Sequence, residues 1–278
     1  MGIFHSKNNR VNKVQYIKEK SPSKIESEDA LLINDALGIY GVMDGATPID
    51  SFKDENGHNS AYLAANLIKG YLESLEEISY LPDEVLKANS LLKHEMKANG
   101  INLTDKSQLW SSCVSAIQIK NNSLIYTSMG DTMILTCDNS NHINVLTVDS
   151  VKNISARAKL TRAINRYKGI DVPDEKHFLN QKNKIAYHRQ MANTPNGYSV
   201  ANGMEEAKDH MQYGMVDLDN LKHVLITSDG LFDPQNNIQD VYRKIEKDGL
   251  EEYVQKLSIY ESDHGIKADD KTTLLLSF

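Results

Sequence analysis

Cysteine is scarce: the 278 residues hold two, Cys113 and Cys137, and no CxxC pair. Both sit in apolar, strand-like stretches, so they read as buried free thiols of a reducing compartment rather than zinc ligands. No apolar run reaches the roughly 18 residues of a spanning helix. No apolar signal core opens the chain either, so a cytoplasmic protein without a membrane span is expected. A dense Lys/Arg block is also missing, and with a net charge of −7 nucleic acid is not the expected partner. The acidic balance suits a site that holds cations, although solubility explains it equally well. Met1 to Ser6 (MGIFHS) fits an N-myristoylation template, with Lys7, Arg10 and Lys13 following. A polar terminus that matches a loose pattern is the preferred reading, so no lipid anchor is expected.

What is present is an ordinary core: 40% hydrophobic and 25% charged residues, enough for one large domain or two small ones. Residues 1–23 form a polar N-terminal segment in which Val14 to Ile17 can pair as a short strand. Apolar runs at Ala30 to Ile33 and Gly38 to Met43 follow. Ala61, Ala64, Ala65, Ile68, Tyr71, Leu72 and Leu75 then recur at three- and four-residue steps, which predicts a helix with one apolar stripe. Leu81-Pro82-Asp83 opens a second helix that Asn99-Gly100 stops.

From Ser111 the period shortens. Cys113 to Ile119, Leu124 to Ser128, Met133 to Thr136 and Ile143 to Val148 read as strands of an antiparallel meander, separated by Asn- and Gly-containing turns. Val151 to Asn193 looks helical, Gly197 to Val200 reads as a strand, and His223 to Thr227 as a buried one. Helices at Ile238 to Lys247 and Leu250 to Tyr260 precede a closing strand, Thr272 to Phe278. Strands and helices in separate blocks, with no repeat or low-complexity linker, point to an α+β domain.

Acids lie at four places where an apolar strand meets a loop. Asp44 follows GIYGVM, Asp131 follows LIYTSMG, Asp229 follows HVLITS, and Asp269-Asp270 precede KTTLLLSF. Acids beside Gly at strand ends are most often plain turns. If these ends converge, they form an oxygen-only cluster of the kind that selects Mg²⁺ or Mn²⁺, and a pair of such ions can activate water against a phosphoryl group.

Taken together, these stretches resemble the type 2C family of metal-dependent protein serine/threonine phosphatases. The resemblance runs in family order from about residue 24 to the C-terminus. KIESEDA (24–30) looks like the opening motif that ends in Glu-Asp, and YGVMDG (40–45) looks like its FGVFDG element. Gly130-Asp131-Thr132 resembles Gly-Asp-Ser, LITSDGLFD (225–233) is close to LxxxSDGxxD, and DKTTL (270–274) fits the final Asp-Asn-x-Thr-Val.

The resemblance implies a four-layer α-β-β-α sandwich with two central antiparallel sheets and the metals at one end. One catalytic domain would span 24–278, with a variable flap at about 150–215. Carried over by position, Asp44 bridges two Mn²⁺ or Mg²⁺ ions, the Gly45 carbonyl binds one, and Asp229 and Asp270 complete the site. Asp131 matches a weaker third ion, and Glu28 and Asp29 hold metal-bound waters. The implied reaction is in-line attack of a metal-bridging water on a phosphoserine or phosphothreonine of a protein. The cysteines have no part in it. The implied partners are a phosphorylated protein and a cognate kinase.

Three positions depart from the family. Lys24 stands where a phosphate-gripping Arg is usual, so phosphate binding is expected to persist and loosen. Ala46 replaces a His proposed as general acid, as in bacterial members. Lys271 replaces an Asn and either weakens the site or points to solvent. Arg162, Arg166 and Arg189, in the poorly matching flap, could grip phosphate but read better as surface helix charges. His58, His94, His188, His210 and His223 show no ligand spacing. The alternatives to a protein phosphatase are an inactive pseudophosphatase that binds a partner, and a hydrolase of small phosphomonoesters.

Overall fold

The computed structural model describes every residue except 7, 9, 50 and 233–236. Lys7, in the myristoylation pattern, and Asp233, the last residue of the SDGLFD stretch, therefore lie outside the described residues.

Alternation along the strands decides the layers. A short edge strand β1 (Gly2–Phe4) pairs with β2 (Lys13–Glu19), so the polar N-terminal segment is woven into a sheet. Next come β3 (Asp29–Asn34) and β4 (Ile39–Gly45). In β4, Ile39 and Met43 face one side while Tyr40 and Val42 face the other. The predicted helices follow as α1 (Ser60–Glu73), capped by the Asn59 side chain, and α2 (Leu81–Ala98), with Pro82 and two acids in its first turn.

The predicted meander exists as four strands but not as one sheet. The strand β5 (Ser112–Lys120) pairs with β6 (Ser123–Met129), and β7 (Met133–Asp138) pairs with β8 (Ile143–Val145). Between β6 and β7 the chain leaves one sheet for the other at Gly130, whose φ is +97°. A Cβ there would sit 2.2 Å from the Cys113 sulfur, so the crossing requires glycine.

The flap contributes α3 (Ile154–Tyr167), α4 (Gln181–Gln190) and the single turn α5 (Ala207–His210). Tyr198 makes only an isolated bridge, to Ala192, so the predicted strand at Gly197 to Val200 is absent. The strand β9 (Gln212–Asp217) was not anticipated and joins β6. Then β10 (Leu221–Thr227), α6 (Ile238–Asp248), α7 (Leu250–Asp263) and β11 (Lys271–Ser277) close the chain.

The sheets run β1-β2-β11-β10-β7-β8 and β3-β4-β5-β6-β9, with every pair antiparallel. Three stacked cores make the four layers. Met43, Val114 and Ala116 pack on α1 and α2; Val42, Ile117, Ile134, Val224, Ile226 and Leu274 fill the space between the sheets. On the far face, Leu135, Leu225 and Leu275 meet α6 and α7. The fold is thus an α+β, four-layer α-β-β-α sandwich, and the ends of β4, β6, β10 and the start of β11 come to one edge of it.

Candidate active site

Register places the first acids. Asp29 opens β3 directly opposite Asp44 near the end of β4, so two carboxyls share one sheet edge. Asp131 follows the Gly130 crossing, and Asp229 starts a 3-10 turn just after β10. Asp270 immediately precedes β11, where Thr273 pairs with Thr227. Gly230 is needed because a Cβ on it would come within 1.8 Å of the Asp270 carbonyl.

These ends enclose a cavity of about 310 Å³ lined by Asp44, Gly45, Asp131, Asp229, Asp269 and Lys24. Its remaining wall comes from the flap: Val151, Ile154, Ile185, His188, Arg189 and Tyr198. Glu28, Asp29 and Asp270, expected at the metals, are buried and do not line the cavity. Asp270 is turned inward because two backbone amides capture it, Ser21 N–H at 2.7 Å on one oxygen and Glu28 N–H at 2.7 Å on the other. Glu28 accepts from the Asn59 amide at 2.6 Å. Asp29 accepts from the Ser228 hydroxyl at 2.8 Å, which ties the two sheets together. The carboxylate that faces the cavity from this part of the chain is the neighbouring Asp269.

Lys24 has a different role from the one expected of it. Its Nζ donates to Glu28 at 2.7 Å, Asp270 at 2.9 Å and Asp269 at 3.1 Å. An ammonium has three N–H bonds, and all three are taken by acids of its own chain. Burial lowers the Lys24 pKa, but the bonds to Glu28 and Asp270 outweigh it and the net shift is upward. Lys24 clamps the acid layer and has no donor left for phosphate. Lys271 neither points to solvent nor enters the site; it is buried and bonds Glu261 on α7 at 2.7 Å.

The acids that line the cavity repel one another. Burial first, then Asp29, Asp229 and Asp131, pushes Asp44 well above the usual carboxylate range. Asp229 is pushed up to about 8 by burial, then by Asp131 and Asp269. Asp29 is pushed up to about 7 by burial, against the Ser228 bond. Asp131 is also raised, chiefly by burial, and its Oδ1 is buried without a hydrogen-bond partner. An all-oxygen set with a buried, unpartnered carboxylate oxygen and uncompensated charge fits a hard divalent ion. Among the described residues no three His, Cys, Asp or Glu side chains already stand together as a ligand set. Cys113 also lines the cavity, but burial, with Asp131 and Asp44, holds its thiol well above the ordinary range. It stays protonated and is not a nucleophile.

A carboxyl whose pKa is higher folded than unfolded binds its proton more tightly when folded. It therefore contributes stability at low pH that is lost as pH rises, here from about 4 through about 8. Melting in EDTA is expected to give a falling Tm between pH 5 and pH 8.5. Added Mn²⁺ should raise Tm more at pH 8 than at pH 5, and equal shifts at both would contradict the burial of charge at this site.

Two of the three flap arginines, Arg162 and Arg189, are not the surface charges expected of them, while Arg166 stays partly exposed. Arg162 is 5% exposed, bonds both oxygens of Glu175, and stacks 4.0 Å from the Phe178 ring. Arg166 joins the same Glu175. Arg189 is also 5% exposed and reaches the cavity, where its Nη2 donates to the Ala46 and Thr47 carbonyls, each at 3.1 Å. No spacing rule predicts this, because the loop that folds α4 over the cavity carries no periodic signal. His188 is held down to about 4 by burial and by the nearby Lys184 and Arg162, so its ring is neutral.

No family model matches the chain, and no curated protein sequence matches it. Solved structures do. The Mycobacterium tuberculosis serine/threonine phosphatase PstP/Ppp is 16% identical, with 95% of this chain and 97% of that one covered at a TM-score of 0.60. Serine/threonine phosphatase Stp1 from Staphylococcus aureus is 17% identical over 95% and 94%, at 0.58. The catalytic domain of PstP in complex with two manganese ions is 14% identical over 95% and 96%, at 0.57. At such identities the likeness is one of fold: this chain has the fold of these bacterial phosphatases along nearly its whole length.

Proposed function

We propose that the protein is a divalent-metal-dependent phosphomonoester hydrolase acting on phosphoserine or phosphothreonine in proteins. The observation that carries this reading is the convergence of Asp44, Asp131 and Asp229 from three separate strand ends on one cavity. Lys24 and Arg189 also line that cavity, yet Asp44 and Asp229 keep carboxyls raised by burial and by neighbouring acids. Fold stability alone favours no such set, because acids gathered in one half-buried cavity repel one another. The fold shared with phosphatases, one of them holding manganese, supports the same reading.

Asp44, Asp131 and Asp229, with the Gly45 carbonyl, are the donors for Mn²⁺ or Mg²⁺, and Asp269 stands at the rim. The bound metal supplies Lewis acidity toward water and the phosphoryl oxygens. Lys24 neutralises Glu28 and Asp270 behind the cavity and so leaves the front acids as the metal-facing charge. Val151, Ile154 and Ile185 line the cavity from the flap side and give that wall an apolar face. The test is hydrolysis of a phosphothreonine peptide and of an aryl phosphate across a Mn²⁺ titration. Turnover should follow metal occupancy and vanish in EDTA. Activity that survives EDTA would refute metal dependence.

A second reading, a binding module without catalysis, is favoured by one observation: Asp270 is locked onto backbone amides and Lys24. It predicts metal-induced thermal stabilisation without turnover on any phosphoester.

A further inference from the structure

The cavity that holds the acids has little free positive charge to meet a phosphoryl group. Of the cations among its lining residues, Lys24 has all three N–H bonds on carboxylates, and His188 is neutral. Arg189 is the exception. It is 5% exposed, and its Nη2 is taken by the Ala46 and Thr47 carbonyls, the two residues that directly follow Asp44-Gly45. Its Nη1, with two further N–H bonds, is buried and meets no acceptor in good hydrogen-bond geometry among the described residues, the Tyr198 hydroxyl being the neighbour of this guanidinium in the cavity. A guanidinium nitrogen buried without an acceptor is unusual in a native protein. Arg157 Nε and Arg162 Nη1 are also such nitrogens, but of the three residues only Arg189 lines the acid cavity.

The position of this nitrogen is fixed from both ends. On one side Nη2 grips the loop after Gly45. On the other, Arg189 lies one turn before Ala192, whose carbonyl accepts from the Lys106 ammonium at 2.8 Å. Asn193 then locks the chain by donating to the Val200 carbonyl and accepting from the Val200 N–H. The Tyr198 ring packs in the same buried cluster as Ala192. A pre-oriented guanidinium loses little freedom when it meets an oxyanion.

We infer that Arg189 Nη1 is the phosphoryl-oxygen ligand of this site, delivered by the flap helix α4 in place of a group on the Lys24 side. The ligand is a phosphomonoester dianion, and inorganic phosphate offers the same oxygens. Because Nη2 holds the loop after Gly45 and Nη1 holds phosphate, one side chain couples phosphate binding to the placement of the Asp44-Gly45 segment. This inference rests on the phosphatase reading for its substrate, but not for its chemistry, since phosphate binding can be measured without turnover.

The experiment compares wild type with Arg189→Lys and Arg189→Met. It reads KM and kcat for para-nitrophenyl phosphate in Mn²⁺, the inhibition constant of inorganic phosphate, its direct binding by calorimetry, and Tm. Loss of a charge-assisted bond should raise KM and the phosphate constant about ten- to a hundredfold in Arg189→Met, and less in Arg189→Lys. Added guanidinium should partly restore Arg189→Met. If kcat and Tm fall while KM and the phosphate constant stay within twofold of wild type, Arg189 is only a loop anchor and the inference is overturned. If wild type hydrolyses nothing, the phosphatase reading fails separately. Weaker phosphate binding by Arg189→Met would still uphold the inference, and unchanged binding would overturn it.

Discussion

Asp229→Asn is expected to lower Mn²⁺-supported turnover by at least about 10²-fold, the usual scale for removing one charge-stabilising group from an active site. The same substitution should raise Tm in EDTA at pH 8. Asp229 is pushed up to about 8 by burial and by neighbouring acids. Replacing it with a neutral isostere relieves repulsion on Asp44, whose own carboxyl is raised partly by Asp229. Opposite signs for activity and stability are the mark of a site held together against its own electrostatics. A purely structural Asp229 would lose both together. The Mn²⁺-induced rise in Tm should shrink as well, which separates loss of metal from loss of chemistry. Retained turnover in this variant would remove Asp229 from the site.

Most of the elements were legible because apolar alternation is a local property, whereas the four layers came only from the resemblance. The pattern around Ile39 to Met43, or Ala61 to Leu72, dictates a strand or a helix wherever it is packed. Convergence of acids was legible only as a possibility, which the resemblance in the order of motifs made an expectation. Three things were hidden. Gly130 marks a turn in sequence, but only the packing of Cys113 against it shows that the chain there changes sheets rather than continuing a meander. Asp269 and Asp270 are adjacent in sequence and differently placed, because the Ser21 and Glu28 amides reach Asp270 while Asp269 lines the cavity. Arg189 lies in the segment with least pattern, and its burial comes from the long connection that folds α4 over the strand ends. In each case the deciding partner is far away in sequence, and no local rule records it.

Lys271 shows how a departure from a family motif can be structural. Its ammonium sits 2.7 Å from the Glu261 carboxylate, and the two side chains are 4% and 8% exposed. The pair joins the first residue of β11 to α7, on the side of the sheet away from the acid cavity. Lys271→Met should therefore leave a buried carboxylate without a counter-ion, at a cost of about 3–5 kcal/mol. For a domain of this size that corresponds to a fall in Tm of roughly 10 °C. Glu261→Leu should cost a similar amount by stranding the ammonium. The double variant Lys271→Met/Glu261→Leu should recover most of the loss, because desolvating two charges nearly offsets their attraction and an apolar pair of similar volume avoids both. KM for an aryl phosphate should change by less than about twofold in the double variant, since neither side chain lines the cavity. A double variant as unstable as the singles would mean that the pair, rather than its mutual neutralisation, is what β11 and α7 require. A change in Mn²⁺ affinity would instead return Lys271 to the neighbourhood of the metal.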